Sequence, residues 1–287
     1  VILGYNTNGL AECGASAAVE ALAAIGFQGI ALTLDHELLN PYAASFEAEL
    51  ERTAAALRRH GFRSVIETGA RFLLDPGVKH EPTLVSPDSA DRARRIDFLF
   101  RAIDVSAALE ADCVSLWSGC VRDGATDRTS MDRMADGIDE VLDYAGQRDV
   151  VIGFEPEPCM FVDTLARYGD LLDEMAARRV DDSRLLLTID IGHLHCQGET
   201  PIAQQLRRWR ERLVNVHIED MRAGVHEHLM FGDGEIDFPP VIATLAEIGY
   251  AGLINVELTR HRHLGIAAAR RAYDYLAPQL DKSAVDA

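Results

Sequence analysis

The chain has 287 residues, 48% of them apolar, and carries 46 acidic against 28 basic side chains for a formal net charge of −18. One large α/β barrel or two modest domains both fit that length. The acidic excess argues against nucleic acid and anionic membrane surfaces as partners, because both need basic patches, but a small anionic substrate held by a few local Arg or Lys residues is not excluded.

Five cysteines (Cys13, Cys113, Cys120, Cys159, Cys196) occur with no Cys-x-x-Cys pair. Neither a structural zinc site nor a disulfide framework is expected, and the reducing cytoplasm is the expected location. No basic segment followed by an apolar run opens the sequence, so no leader is expected. The longest apolar runs fall far short of a membrane span.

In chain order, residues 1–5 read as a buried strand, followed by Asn6-Thr-Asn8-Gly9. Ser16 is expected to cap an Ala-rich helix that runs to Ile25 and stops at Gly26. Residues 29–34 form a second strand, 46–60 a second helix closed by Gly61, and 63–67 a third strand. Residues 69–88 carry Arg71, Lys79, His80, Glu81 and three prolines, with no clear periodicity. A stretch of that length inside a compact domain is usually functional, and a lid over a polar substrate is one reading of it; a merely exposed loop is the other. Then come a helix opened by Asp88, a strand at 112–117, a helix at 130–148, a strand at 150–155 and a helix at 163–178. Residues 185–190 are the sixth strand, 201–212 a helix, 213–220 the seventh strand, and 223–236 a loop rich in Gly and His. Pro239 and Pro240 sit in the first turn of a helix that ends at Gly249. A strand at 252–257 and a helix at 265–280 complete the pattern.

Strict alternation of eight apolar strands with amphipathic helices implies a parallel sheet, and eight units of this length match a single (β/α)8 TIM barrel over residues 1–280, with a polar tail at 281–287. An open doubly wound sheet is the alternative. Against it, no Gly-x-Gly-x-x-Gly follows the first strand.

The active site of such a barrel lies at the carboxyl ends of its strands. There stand Glu155, Asp190, His217 and Glu257, on four consecutive strands. Singly, each has an ordinary reading: Glu155 a solvated loop residue, Asp190 a helix cap, His217 a satisfied core histidine, Glu257 a partner of Arg260 or Arg262. Jointly, three carboxylates around one buried mouth repel unless a cation holds them, and a divalent metal resolves the repulsion. Glu67 and Trp117 end the third and fourth strands. Trp117 has the shape to stack on a sugar or cyclitol face, although a core position explains it equally.

Glu155 with its prolines, Asp190-x-Gly-His193, His217-x-x-Asp220, the Gly232-x-Gly234-x-Ile236-Asp237 loop and Val256-Glu257 resemble the xylose isomerase-like TIM-barrel superfamily over nearly the whole chain. That superfamily holds ketose 3-epimerases, hydroxypyruvate isomerase, inosose dehydratase and endonuclease IV. The resemblance implies one divalent ion (Mn²⁺, Mg²⁺, Co²⁺ or Zn²⁺) on Glu155, Asp190, His217 and Glu257. It implies proton exchange by Glu155 and Glu257, and substrate contacts from His193 and, with altered spacing, Arg222. His226 and His228 stand where endonuclease IV has further metal ligands, so a second metal is an open alternative, with a solvated loop pair as the other reading. The histidines that would complete a three-metal cluster on the third and fourth strands are absent.

The expected activity is thus a metal-dependent isomerase or epimerase of a small sugar, cyclitol or hydroxy-keto compound, with His193, Arg222, His228, Trp117 and Glu67 as substrate-binding candidates. An inosose-type dehydratase, a metal-dependent hydrolase and a non-catalytic metal-containing binding protein are the alternatives. The resemblance also implies a homo-oligomer, and nucleic acid and membrane are not expected partners.

Overall fold

A computed structural model describes residues 1–10 and 13–285, the last five by their backbone alone. Eight strands close into a parallel barrel: β1 (Ile2–Asn6), β2 (Gly29–Thr33), β3 (Arg63–Glu67), β4 (Val114–Leu116), β5 (Ile152–Phe154), β6 (Leu185–Asp190), β7 (Leu213–Ile218) and β10 (Leu253–Val256), which pairs back onto β1. Helices α1 (Ala15–Ile25), α2 (Phe46–His60), α3 (Ser89–Leu109), α4 (Asp127–Gly146), α5 (Leu165–Arg178), α7 (Ile202–Trp209), α8 (Phe238–Glu247) and α9 (Ile266–Val285) flank it. This is the expected (β/α)8 barrel. No helix among the described residues is long and apolar enough to cross a membrane.

The barrel interior follows from the two-residue period of a strand, which sends alternate side chains inward. At the amino-terminal end Ala31, Val65, Cys113 and Leu253 form a small apolar plug. One step up, Ser115, Thr188, Asn215 and Asn255 are buried and bond to one another: Thr188 Oγ1 lies 3.3 Å from Ser115 Oγ, and Asn255 Nδ2 donates to Asn215 Oδ1 at 2.9 Å. Two residues further on stand Thr33, Glu67, Trp117, Glu155, Asp190, His217 and Glu257. The interior therefore grades from apolar to charged along the strands, and the charge collects at the carboxyl rim. The other strand face packs on the helices, where the main core lies.

Several local expectations change. Gly14, not Ser16, precedes α1, and no side chain caps it. The sixth strand turns at once into a short helix, α6 (Ile191–Cys196), capped by Asp190, whose Oδ1 accepts from the His193 amide at 2.8 Å. Six residues are too few to show helical periodicity in sequence. The expected loop at 223–236 holds an antiparallel hairpin instead, β8 (Asp220–Arg222) with β9 (Val225–Leu229). The last helix passes the expected stop at Leu280 and continues to Val285, so part of the expected tail at 281–287 is helical; residues 286–287 lie outside the described ones.

Residues 69–88 precede α3 without a helix or strand of their own. They are nonetheless tied down. Arg95, wholly buried, donates from Nη2 to the Thr68 carbonyl at 2.8 Å, and its guanidinium lies 4.6 Å from the Trp117 ring centroid. Arg92 holds the Ser86 carbonyl and Arg122 holds the Glu81 carboxylate.

Candidate active site

Glu155 and Glu257 each sit one residue beyond a barrel strand, and their amides still join the ladder, to the Leu116 and Ile218 carbonyls at 2.8 and 3.1 Å. Asp190 and His217 are register partners on β6 and β7. Backbone pairing thus fixes all four before side chains are considered. One ligand atom from each of Glu155, Asp190, His217 and Glu257 lies within 4.8 Å of the others.

His217 is at the centre. Its Nδ1 is 3.0 Å from both Glu155 Oε1 and Glu257 Oε2, and its Nε2 is 2.9 Å from Glu67 Oε1. Burial disfavours a charged ring, but Glu155, Glu67 and Glu257 outweigh it and hold the imidazole well above its ordinary pKa. The cluster demands positive charge. A proton on His217 meets part of that demand, and a divalent cation would meet it more fully. Asp190 Oδ2 points the same way, since it is buried with no hydrogen-bond partner. The donor set of three carboxylates and one imidazole fits a hard or borderline divalent ion. Glu67 on Nε2 leaves Nδ1 facing the cluster, the usual arrangement behind a ligating histidine.

The two glutamates are tuned apart. Burial pushes Glu155 up to about 7, against the pull of His217. Burial also opposes ionisation of Glu257, yet His217, His228 and the Asn8 amide outweigh it and hold that carboxyl below the usual range. Asn8 Nδ2 donates to Glu257 Oε1 at 2.7 Å. The same balance holds at Asp190, where His193 and His228 overcome burial and keep the carboxyl low.

A cavity of about 590 Å³ opens over this cluster. Asn6, Asn8, Glu67, Trp117, Glu155, Glu157, His217, His226, His228 and Glu257 line it, joined at the mouth by Arg71, Lys79, His80 and Arg260. Of the expected substrate residues, Glu67, Trp117 and His228 are in the wall. His193 is buried beside it, 3.1 Å from His226 through the Nε2 atoms and 3.6 Å from Asp190 Oδ2. Burial holds His193 at about 4, so its ring is neutral. Arg222 is the correction. It lies exposed on the outer side of β8 and donates to the Asp233 carbonyl at 3.0 Å, outside the cavity wall. The turn of the hairpin directs it away, a geometry the loop reading did not anticipate.

Three wall or near-wall residues escaped the sequence reading. Asn8 orients Glu257. Glu157 is pushed well up by burial and by Glu155, and its Oε1 is 3.6 Å from His226. Glu219 is wholly buried, and burial with the neighbouring Asp190 carboxylate pushes its carboxyl well up; it lies 3.8 Å from His228 Nδ1, and a side chain at Gly192 would meet its Oε1 at 1.9 Å. The dense run His217-x-Glu219-Asp220 was the available signal, and there Asp220 turns out to be structural. Its carboxylate accepts from the amides of Gly232, Gly234 and Ile236 at 2.8, 3.0 and 3.1 Å, and a Cβ at Gly234 would fall 2.2 Å from Asp220 Oδ1. The Gly-x-Gly loop exists to wrap that carboxylate. His193, His226 and His228 also bring ring nitrogens within 4.8 Å of one another, a further group able to hold a cation.

Comparison with known proteins identifies the family and the fold. The family described as xylose isomerase-like TIM barrel matches residues 19–279. Among curated proteins, the L-ribulose-5-phosphate 3-epimerase UlaE of Shigella flexneri serotype 5b is 24% identical over 196 residues, 68% of this chain and 67% of that protein. A protein of Methanocaldococcus jannaschii is 27% identical over 172 residues, and the match spans 58% of either chain. Among solved structures, a D-tagatose 3-epimerase-like protein superposes with TM-score 0.80 at 18% identity, covering 100% of this chain and 99% of that one. The 3-keto-D-glucoside 4-epimerase YcjR of E. coli does so with TM-score 0.76 at 15% identity, covering 97% and 99%. At those identities the structural likeness speaks for the fold. The family match across most of its length establishes that this chain belongs to the xylose isomerase-like TIM barrel family.

Proposed function

We propose that the protein is a divalent-metal-dependent epimerase or isomerase of a small polyhydroxylated carbonyl compound, working by proton transfer between Glu257 and Glu155. The observation that carries the reading is the convergence of Glu155, Asp190, His217 and Glu257 within 4.8 Å, with Glu155, His217 and Glu257 lining the cavity. A divalent ion held by these four would supply Lewis-acid stabilisation of negative charge on the substrate oxygens.

The residues supply the rest. Glu257, ionised and fixed by Asn8, is the base that removes the proton next to the carbonyl. Glu155, whose Oε1 is 3.0 Å from His217 Nδ1, is the partner that returns a proton to that carbon. Glu67 fixes His217, and neutral His193 offers a ring nitrogen to substrate hydroxyls. Trp117, edge-on to His80 at 5.4 Å, offers an apolar wall for a sugar face. Relatives named for 3-epimerisation of a ketose phosphate and for ketose epimerisation support this class of reaction. The five unpaired cysteines suit a cytoplasmic setting.

Incubation of the Mn²⁺-loaded protein with ketopentoses, ketohexoses and their phosphates, followed by NMR, tests the reading. It predicts a new epimer or isomer from at least one of them, lost when EDTA strips the metal. Release of inorganic phosphate or of a dehydrated product in place of an epimer would contradict it.

A further inference from the structure

The cavity has two ends of opposite charge. The carboxylates and His217 form its floor, whereas Arg71 and Lys79 from the 69–88 stretch line its mouth. Arg260, at the same mouth, is paired with Glu227, as Arg178 elsewhere is with Asp132, Asp136 and Glu174. Arg71 and Lys79 are not so paired. Among the described residues Arg71 donates one Nη2 hydrogen to the Asn8 carbonyl at 2.8 Å and joins no ion pair, and Lys79 joins none either.

Their placement is built. Ala70, Arg71 and His80 all take left-handed backbone angles (φ 55°, 43° and 69°), which side chains beyond glycine adopt at a cost. The surroundings hold them there. The His80 amide donates to the Arg71 carbonyl at 2.6 Å, His80 Nδ1 lies 2.6 Å from the Gly69 carbonyl oxygen, and the His80 ring packs on Trp117. His80 adds no charge of its own: burial, with Lys79, Arg95 and Arg71 nearby, lowers it to about 4. The field of Lys79 also reaches His226 on the far wall.

We infer that the substrate carries an anionic group, a phosphate monoester or a carboxylate, which Arg71 and Lys79 bind at the mouth while its carbonyl end reaches the carboxylate floor. Two cations in a cavity wall with no carboxylate in ion-pair contact would gain charge-assisted hydrogen bonds from such a group. A neutral ketose would leave both facing water. The inference rests on this cavity being the substrate site and names the class of substrate it takes.

The test is equilibrium binding, which does not depend on turnover. Calorimetry on the Mn²⁺-loaded protein compares L-ribulose, L-ribulose 5-phosphate, 5-ketogluconate and inorganic phosphate, at low and at high salt. At least one anionic probe should bind roughly tenfold or more tighter than the neutral ketose, with a preference that shrinks as salt rises. The phosphate ester winning identifies a phosphate, and the keto acid winning identifies a carboxylate. Arg71→Ala/Lys79→Ala should remove the preference while metal content stays at the wild-type level, and Lys79→Arg should retain it. Anions binding no better than L-ribulose, inorganic phosphate included, would overturn the inference. So would a preference that survives in the double variant, since the metal floor would then be the anion's site. Failure of epimerisation with anion binding intact would count against the proposed reaction and leave this inference standing.

Discussion

His217 meets three carboxylates with one ring, and its protonation governs the site. Its pKa lies well above the ordinary value, whereas a metal requires the neutral ring. Metal binding must therefore expel a proton, and the apparent Kd for Mn²⁺ should fall steadily as pH rises from about 5 to about 8. A Kd independent of pH over that range would mean that His217 is not a ligand. Glu67 acts through His217, so Glu67→Gln should weaken metal binding by about 10- to 100-fold with the fold unchanged, read by metal titration and circular dichroism. Glu257→Gln removes a ligand and the proposed base together, and should lower both metal affinity and turnover. At this scale the sequence was informative wherever a polar residue ended an apolar strand, as at Glu155, Asp190, His217 and Glu257. It was silent where a residue acts through a loop. Asn8 looks like any turn asparagine, and Glu219 looks like the polar end of a strand until Gly192 is found packed against it.

Elements other than barrel strands shape the mouth. The loop after β9 is organised by the buried carboxylate of Asp220, which takes three amides that would otherwise lack partners. Asp220→Ala should cost about 2–4 kcal/mol, measured by urea denaturation, because those donors lose a charged acceptor. A loss under about 0.5 kcal/mol would mean that the loop holds itself. The 69–88 stretch depends on neutral His80 in a similar way. Its folded pKa of about 4 lies below the ordinary histidine value of 6.5, so the stability it contributes is full above about pH 6.5 and is lost as pH falls towards 4. Hydrogen exchange in residues 69–81 should therefore speed up on acidification beyond the intrinsic pH effect, and His80→Gln should flatten the response. These are the elements that sequence periodicity could not supply. A six-residue helix and a hairpin of three- and five-residue strands are too short to show a repeat, and the misplacement of Arg222 followed from missing that hairpin.

The barrel as a whole was legible because eight buried strands alternate with amphipathic helices, and because the glycines that close several helices mark their ends. Its interior explains where chemistry can occur. Inside the barrel, Ala31, Val65, Cys113 and Leu253 form an apolar plug towards the amino-terminal end, buried polar side chains fill the middle, and the carboxyl end opens to the cavity over the carboxylate cluster. A divalent ion held by Glu155, Asp190, His217 and Glu257 would tie β5, β6, β7 and β10 together. Saturation at about 100 times its Kd should add about 2.7 kcal/mol to stability, seen as a higher Tm that EDTA reverses. The central claim is that Glu155 and Glu257, which converge on His217, move a proton at carbon, and deuterium exchange reads that step directly. The Mn²⁺-loaded protein in D₂O, given the ketose or ketose phosphate that it binds, should place deuterium on the carbon next to the carbonyl, and Glu257→Gln should not. Bound substrate that gains no deuterium while metal is present would contradict the account.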